Sequence, residues 1–214
     1  MDEEITIIDS KTRNEKIKIF FINNKKILII GILIIILALV GYFSFDEIKK
    51  RNKIKLGNRF NLITMNYEEK TKKLTTSELI YVISENDTTY SPLALYFLLD
   101  NNLIEDNADA NKLFDELIYE TSLEQEIKNL IIYKKALFNS NVVSENELLQ
   151  ILNPIINSES VWRSHALYLL AEYFYARNES EKAKEFFNQI LIIPNSNNDI
   201  KLESKKRLNR DLGE

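Results

Sequence analysis

Residues 27–45 read ILIIGILIIILALVGYFSF, and this stretch decides how the chain is organised. It contains 19 residues and no charged side chain. As an α-helix it would extend about 28 Å, close to the hydrocarbon thickness of about 30 Å in a lipid bilayer. A core helix of a soluble protein is seldom apolar on every face over about five turns. The sequence therefore predicts a single N-terminal transmembrane helix over residues 27–45.

The residues around this segment predict an anchor that is retained rather than cleaved. An apolar run of this length exceeds the usual signal-peptide core of about 7–15 residues, and charged residues rather than a small-residue cleavage motif follow it. Lysines and arginines are equally frequent on the two flanks, so charge does not decide the orientation. The basic residues after the segment could contact anionic headgroups or lie on a solvated helix face. They are Lys49, Lys50, Arg51, Lys53 and Lys55.

Composition excludes several classes of function. The 214 residues include 4 Gly and 3 Pro, too few for the many tight turns of a β-sandwich or β-barrel. There is no Cys and only one His, so thiolate chemistry and paired-histidine zinc sites are excluded. A net charge of −4 disfavours a dedicated nucleic-acid binder. We therefore expect no enzyme, no cofactor, no metal and no small-molecule substrate.

Apolar residues at helical spacing predict an all-α fold for the rest of the chain. A helix is expected from residue 46 to about 66, continuing from the membrane segment. A short helix follows, and the side chains of Leu79, Ile80 and Ile83 are expected to face the core. Ser91 is expected to cap the next helix. A polar C-terminal helix over 200–212 is typical of a cap on a stack of helices. Between them we expect three helical pairs of roughly 30 to 35 residues each: 92–103 with 109–119, 123–138 with 145–156, and 161–176 with 181–193.

Two of these pairs share one apolar pattern. In their second helices a small residue is followed by bulky ones at the third, fourth and seventh positions, and the first helices also correspond. The middle pair lacks the small residue. The pattern predicts a tetratricopeptide-like α-solenoid, a stack of helical hairpins. The matched sets are Ala110, Leu113, Phe114, Leu117 with Ala183, Phe186, Phe187, Ile190, and Ala94, Phe97, Leu98 with Leu167, Leu170, Ala171.

Three stretches together resemble a known family. They are KKILIIGILIIILALVGY (25–42), YSPLALYFLL (90–99) and HALYLLAEYFYARNESEKAKEFFNQIL (165–191). In this order they resemble the membrane-anchored, tetratricopeptide-like ancillary subunit of the Sec translocon. That proteobacterial family is related to cell-division coordinator proteins.

The resemblance implies a single-pass protein of the cytoplasmic (inner) membrane. Residues 1–26 would be a short cytoplasmic tail, 27–45 the anchor, 46–90 linking helices and 91–214 a periplasmic repeat domain ending in a capping helix. The expected function is a protein-interaction scaffold that assists export. Its partners would be Sec translocon subunits, periplasmic chaperones or client proteins, and membrane lipid. The alternative is a coordinator of cell division or envelope assembly that binds a periplasmic synthase complex.

Four residues are the candidate protein-binding site. Tyr133 and Lys134 lie on the longest predicted helix of the repeat domain, where a lysine beside an aromatic ring could receive a carboxylate from a bound peptide. Trp162 and Arg163 lie at the start of a later helix and could provide a ligand platform or an anchor between helices. The neighbouring His165 has no nucleophile or orienting carboxylate near it in sequence, so we expect packing rather than catalysis.

Overall fold

The computed structural model of the chain describes residues 15–194 and 196–213. These residues are mostly helical and include no β-strand, which confirms the predicted all-α class. The chain divides into two units, Met1–Lys55 and Leu56–Glu214. Residues 1–14 of the predicted cytoplasmic tail lie outside the described residues.

The described residues of the first unit form two helical stretches. Residues 15–23 form α1, and α2 begins at Lys25 and continues to Met65 over 41 residues. The apolar segment and the predicted helix from residue 46 are therefore one continuous helix, as expected. Within the described part of the chain, α2 is the one helix long and apolar enough to cross a membrane. Two basic residues that follow the apolar segment, Lys50 and Arg51, pair with Asp46 and Glu47 one turn earlier.

The second unit contains eight α-helices among its described residues. Each packs mainly on helices one or two positions away along the chain, so its contacts are sequentially local. All three predicted helical pairs are present, although α4 packs more extensively on α3 than on its predicted partner α5. The helices are α3 (Lys72–Ser84), α4 (Tyr90–Asp100), α5 (Asn107–Tyr119), α6 (Gln125–Asn139), α7 (Glu145–Ile156), α8 (Arg163–Ala176), α9 (Ser180–Ile192) and α10 (Asn198–Lys206).

The last turns of α2 belong to this second unit. Gly57 lies against the ring of Tyr90, and no Cβ atom would fit between them. One turn further along, Phe60 packs on the same ring with centroids 5.9 Å apart. Arg59 pairs with Glu78 of α3 at 2.6 Å. The segment from Leu56 onward is thus part of the helical core.

Asparagines end helices in this glycine-poor unit. Asn102 after α4 and Asn178 after α8 have positive φ angles of 50° and 61°. In both places the following amide donates to a carbonyl five residues earlier, Leu103 to Leu98 and Glu179 to Phe174, which is a Schellman motif. When α4 and α8 are aligned on these matching ends, Leu98 corresponds to Phe174 rather than to Ala171. The predicted alignment of the first helices is therefore shifted by three residues.

Two local predictions were wrong. Ser91 does not cap α4, which begins one residue earlier: the Asp87 carboxylate accepts from the Thr89 and Tyr90 amides instead. The Ser91 hydroxyl is buried and donates to the Val82 carbonyl of α3. Ile80 is exposed, because α3 buries Leu79 and its neighbours one turn away.

Candidate protein-binding surface

Two of the four predicted site residues come together in the structure. The Tyr133 ring of α6 stacks on the Trp162 ring, with centroids 5.9 Å apart and planes 19° apart. His165, in the first turn of α8, packs against both, with centroids 5.0 Å from Trp162 and 5.9 Å from Tyr133. We call Tyr133, Trp162 and His165 the aromatic strip. Each of these side chains is partly exposed.

A carboxylate from α6 fixes the start of α8 and with it the position of Trp162. Glu126 accepts from the Ser160 hydroxyl at 2.8 Å and from the Val161 amide at 3.2 Å. The Ser160 oxygen in turn accepts from the Trp162 amide at 3.1 Å. A negative charge at a helix N-terminus is favourable because the first amides have no partner within the helix. Sequence reasoning missed this role, since Glu126 is 34 residues from Ser160.

The other two predicted residues supply positive charge beside the strip. Lys134 places its Nζ 4.5 Å from the centroid of the Tyr96 ring in α4, a cation–π contact. Arg163 follows Trp162 directly, and its Nε is buried without a hydrogen-bond partner. Within residues 15–194 and 196–213, neither cation forms an ion pair. Neither charge is therefore neutralised by a carboxylate of the described chain.

Tyr96 is a site residue that the sequence did not reveal. Its hydroxyl is buried and has no hydrogen-bond partner among the described residues. Burial raises the pKa of Tyr96 to about 12, so the group stays protonated and able to donate. A buried polar group left without a partner costs about 1–3 kcal/mol. Nothing in the α4 sequence separates this tyrosine from the aromatic residues that fill the core.

Tyr96 also lines an apolar groove of about 560 Å³ between α4 and α6. Leu93 and Ile127 are 42% and 40% exposed in it. Glu124 lies at the α6 N-terminus. We call this the α4–α6 groove; its lining residues are Thr88, Thr89, Pro92, Leu93, Tyr96, Ser122, Leu123, Glu124, Ile127 and Leu130.

His165 is placed for contact rather than for proton transfer. Burial lowers the pKa of His165. The imidazole is therefore neutral at neutral pH. Its ring neighbours are aromatic, and the described residues contain no cluster of three or more His, Asp or Glu side chains able to hold a metal ion. The surface offers stacking, apolar contact and positive charge.

No protein-family model, curated protein or solved structure matches this chain. The resemblance to the translocon subunit therefore stays a prediction that rests on the three quoted stretches. The geometry of the aromatic strip and of the α4–α6 groove is the basis for inferring function.

Proposed function

We propose that this protein is a membrane-anchored interaction scaffold that binds extended segments of other proteins on its helical unit. The observation that carries the proposal is the surface of α6 and α8, where partly exposed aromatic rings adjoin Lys134 and Arg163, two cations without a carboxylate partner. Stacking rings and unpaired cations are features of protein-recognition surfaces. Neither provides a nucleophile or a general base.

The anchor in this proposal is the apolar part of α2. None of its most hydrophobic window is buried, so lipid is the environment that suits it. By the family resemblance, the helical unit would lie in the periplasm and act on proteins emerging from the Sec translocon. Reporters active in only one compartment, fused after Glu214, test this orientation. Periplasmic activity supports it, and cytoplasmic activity contradicts it.

We also propose that the helical unit is a tetratricopeptide-like solenoid. Sequentially local packing and the shared Schellman ends of α4 and α8 support this arrangement. Ala110 of α5 and Ala183 of α9 are both fully buried, as equivalent close-crossing positions should be. Replacing either with Leu would overpack the contact and cost about 1–3 kcal/mol of unfolding free energy.

The control for these substitutions has to lie on a solvated face. Lys184, which the helical period places toward water, is half-buried and pairs with Glu181 at 3.0 Å, so it is unsuitable. Asn188 of the same helix is exposed. We expect thermal unfolding of the Ala110→Leu and Ala183→Leu variants at clearly lower temperature, and of Asn188→Leu near wild type. Equal melting of all three would contradict the repeat.

Photocrosslinking in native membranes tests the scaffold itself. Val161 is 65% exposed and lines a small cavity with Trp162 and His165, so a photoreactive residue fits there without disturbing the core. Ile192, at the end of α9 and 80% exposed, is the matched control. We expect defined protein adducts from position 161 and not from 192. Translocon subunits, chaperones or exported proteins among the adducts support the export role, and a cell-wall synthase complex supports the alternative. Absence of specific adducts contradicts the scaffold.

A further inference from the structure

The α4–α6 groove and the charges beside it specify the chemistry of the partner. We infer that the groove binds an acidic peptide segment that carries a large aliphatic side chain. This inference rests on the proposed scaffold function and identifies the class of segment that the scaffold recognises. It follows from three features: exposed aliphatic side chains in the groove, the Tyr96 hydroxyl without a partner, and the unpaired charge of Lys134 over the Tyr96 ring.

The apolar requirement comes from the groove walls. Leu93 of α4 and Ile127 of α6 are both substantially exposed, and Leu130 lies one turn further along α6. A groove of about 560 Å³ accommodates a leucine or isoleucine side chain of a ligand. Transfer of such a side chain from water onto these walls is favourable because apolar area is removed from water on both partners.

The acidic requirement comes from Tyr96 and Lys134. A carboxylate accepts hydrogen bonds only, and the Tyr96 hydroxyl, which is covered in the unliganded chain, would donate one once a ligand displaces the side chains over it. Lys134 lies over the same ring and forms no ion pair among the described residues, so it would gain a charge-assisted contact. The whole chain has a net charge of −4, so its overall field does not attract acidic ligands; the preference would be local.

One carboxylate of the groove gives the bound segment a direction. Glu124 lies about 15 Å from Lys134 along α6, and it would repel an acidic side chain at that end. An extended chain covers this distance with about five residues. The segment would therefore place its aliphatic residue between α4 and α6 and its acidic residues toward Lys134.

The test uses the full chain in detergent micelles and four short capped, fluorescein-labelled peptides. The first alternates leucine and glutamate. The second has glutamine at each glutamate, the third lysine at each glutamate, and the fourth serine at each leucine. Fluorescence anisotropy gives their dissociation constants at low and at high salt. The same peptides are measured with the Lys134→Gln and Tyr96→Phe variants, and with Lys205→Gln, which removes an exposed charge on α10, outside the groove.

We expect the leucine–glutamate peptide to bind most tightly, and increasingly weakly with added salt. Lys134→Gln should weaken it by about three- to tenfold and Tyr96→Phe by about two- to fivefold, while Lys205→Gln leaves it unchanged. The glutamine peptide should bind equally to wild type and Lys134→Gln.

If the glutamine or lysine peptide binds as tightly as the glutamate peptide, the acidic preference is wrong although a peptide-binding scaffold remains. If the serine peptide binds as well as the leucine peptide, the apolar requirement is wrong. If none of the four binds and Val161 gives no adducts, the scaffold itself is wrong.

Discussion

Helix α6 presents polar groups on two sides, and they are arranged very differently. Toward α5, Lys135 pairs with Asp115 at 2.6 Å. On the same side Asn139 and Asn111 exchange hydrogen bonds, each amide donating to the other's oxygen at 2.8–2.9 Å. Toward α4, the adjacent Lys134 has only the Tyr96 ring. The paired side holds the helices together, whereas the unpaired side has polar capacity that the described chain does not use.

The largest expected loss of unfolding free energy is on the paired side of α6. Asn139 is buried, so replacing it with Ala removes the exchange with Asn111 and the bond to the Lys135 carbonyl, and leaves the Asn111 amide without that partner. We expect Asn139→Ala to lower the free energy of unfolding by about 2–3 kcal/mol. Lys134→Ala, on the unpaired side, should change it by about 0.5 kcal/mol or less. Urea unfolding of both variants measures the contrast.

A double-mutant cycle sharpens this result. Asn111→Ala and Asn139→Ala remove the two halves of one interaction, so the double variant should cost less than the sum of the singles. Additive free energies would show that the two amides do not act as a unit. The description of the α5 side of α6 as a paired surface would then be wrong for its two amides.

An intermediate loss of unfolding free energy is expected when the Lys135–Asp115 ion pair is removed. Lys135 is largely covered and Asp115 is about half exposed, so solvent screens part of their attraction. We expect Asp115→Asn to lower the unfolding free energy by about 0.5–1 kcal/mol, less at high salt. An unchanged stability at low salt would show that the pair is no tighter than an ordinary surface contact.

On the unpaired side of α6, a substitution should raise the free energy of unfolding instead of lowering it. Tyr96→Phe removes a buried hydroxyl that has no partner and keeps the ring under Lys134. We expect the unliganded protein to become more stable by up to about 1 kcal/mol, because a desolvated donor is lost. A melting temperature clearly below wild type would show that the hydroxyl has a partner in solution, and that this side of α6 is satisfied as well.

The smallest expected effect is on pH dependence. His165 is the only histidine, so its ring signals in an NMR titration are unambiguous. Burial lowers its pKa, so we expect a midpoint below about 6.5. As the pH falls below about 6.5, the unfolded state binds the proton more readily than the folded state, so His165 should destabilise the fold slightly. The His165→Gln variant should lose this dependence of stability on pH. A midpoint above 6.5 would indicate an acidic neighbour that the structure does not show.

Local sequence signals predicted much of the fold. Helical spacing located the helices after Asp46, and Ser144 with Glu147 forms the predicted capping box at the start of α7. The errors came where a side chain from another position intervened. Asp87 took over the capping of α4 from Ser91, and the Schellman ends moved the register of the first helices by nearly one turn.

The candidate surface was less predictable because its contacts are distant in sequence. Tyr133 and Trp162 were singled out separately, yet their stacking depends on how α6 and α8 pack. Tyr96 and Glu126 gave no signal, since an unbonded hydroxyl and a cap on another helix exist only after folding. Composition and periodicity record which face of a helix is apolar, and they do not record which polar group lacks a partner.

The fluorescence of Trp162 tests the central claim most directly. It is the only tryptophan, and it lies in the aromatic strip beside the two unpaired cations. The full chain in detergent micelles is titrated with an unlabelled leucine–glutamate peptide while tryptophan emission is recorded. We expect a saturable change in emission, with half-saturation at about three- to tenfold higher peptide concentration in the Lys134→Gln variant. Emission that stays constant while the labelled peptide binds would show that the peptide does not reach the aromatic strip, and would contradict the claim that the strip is part of the binding surface.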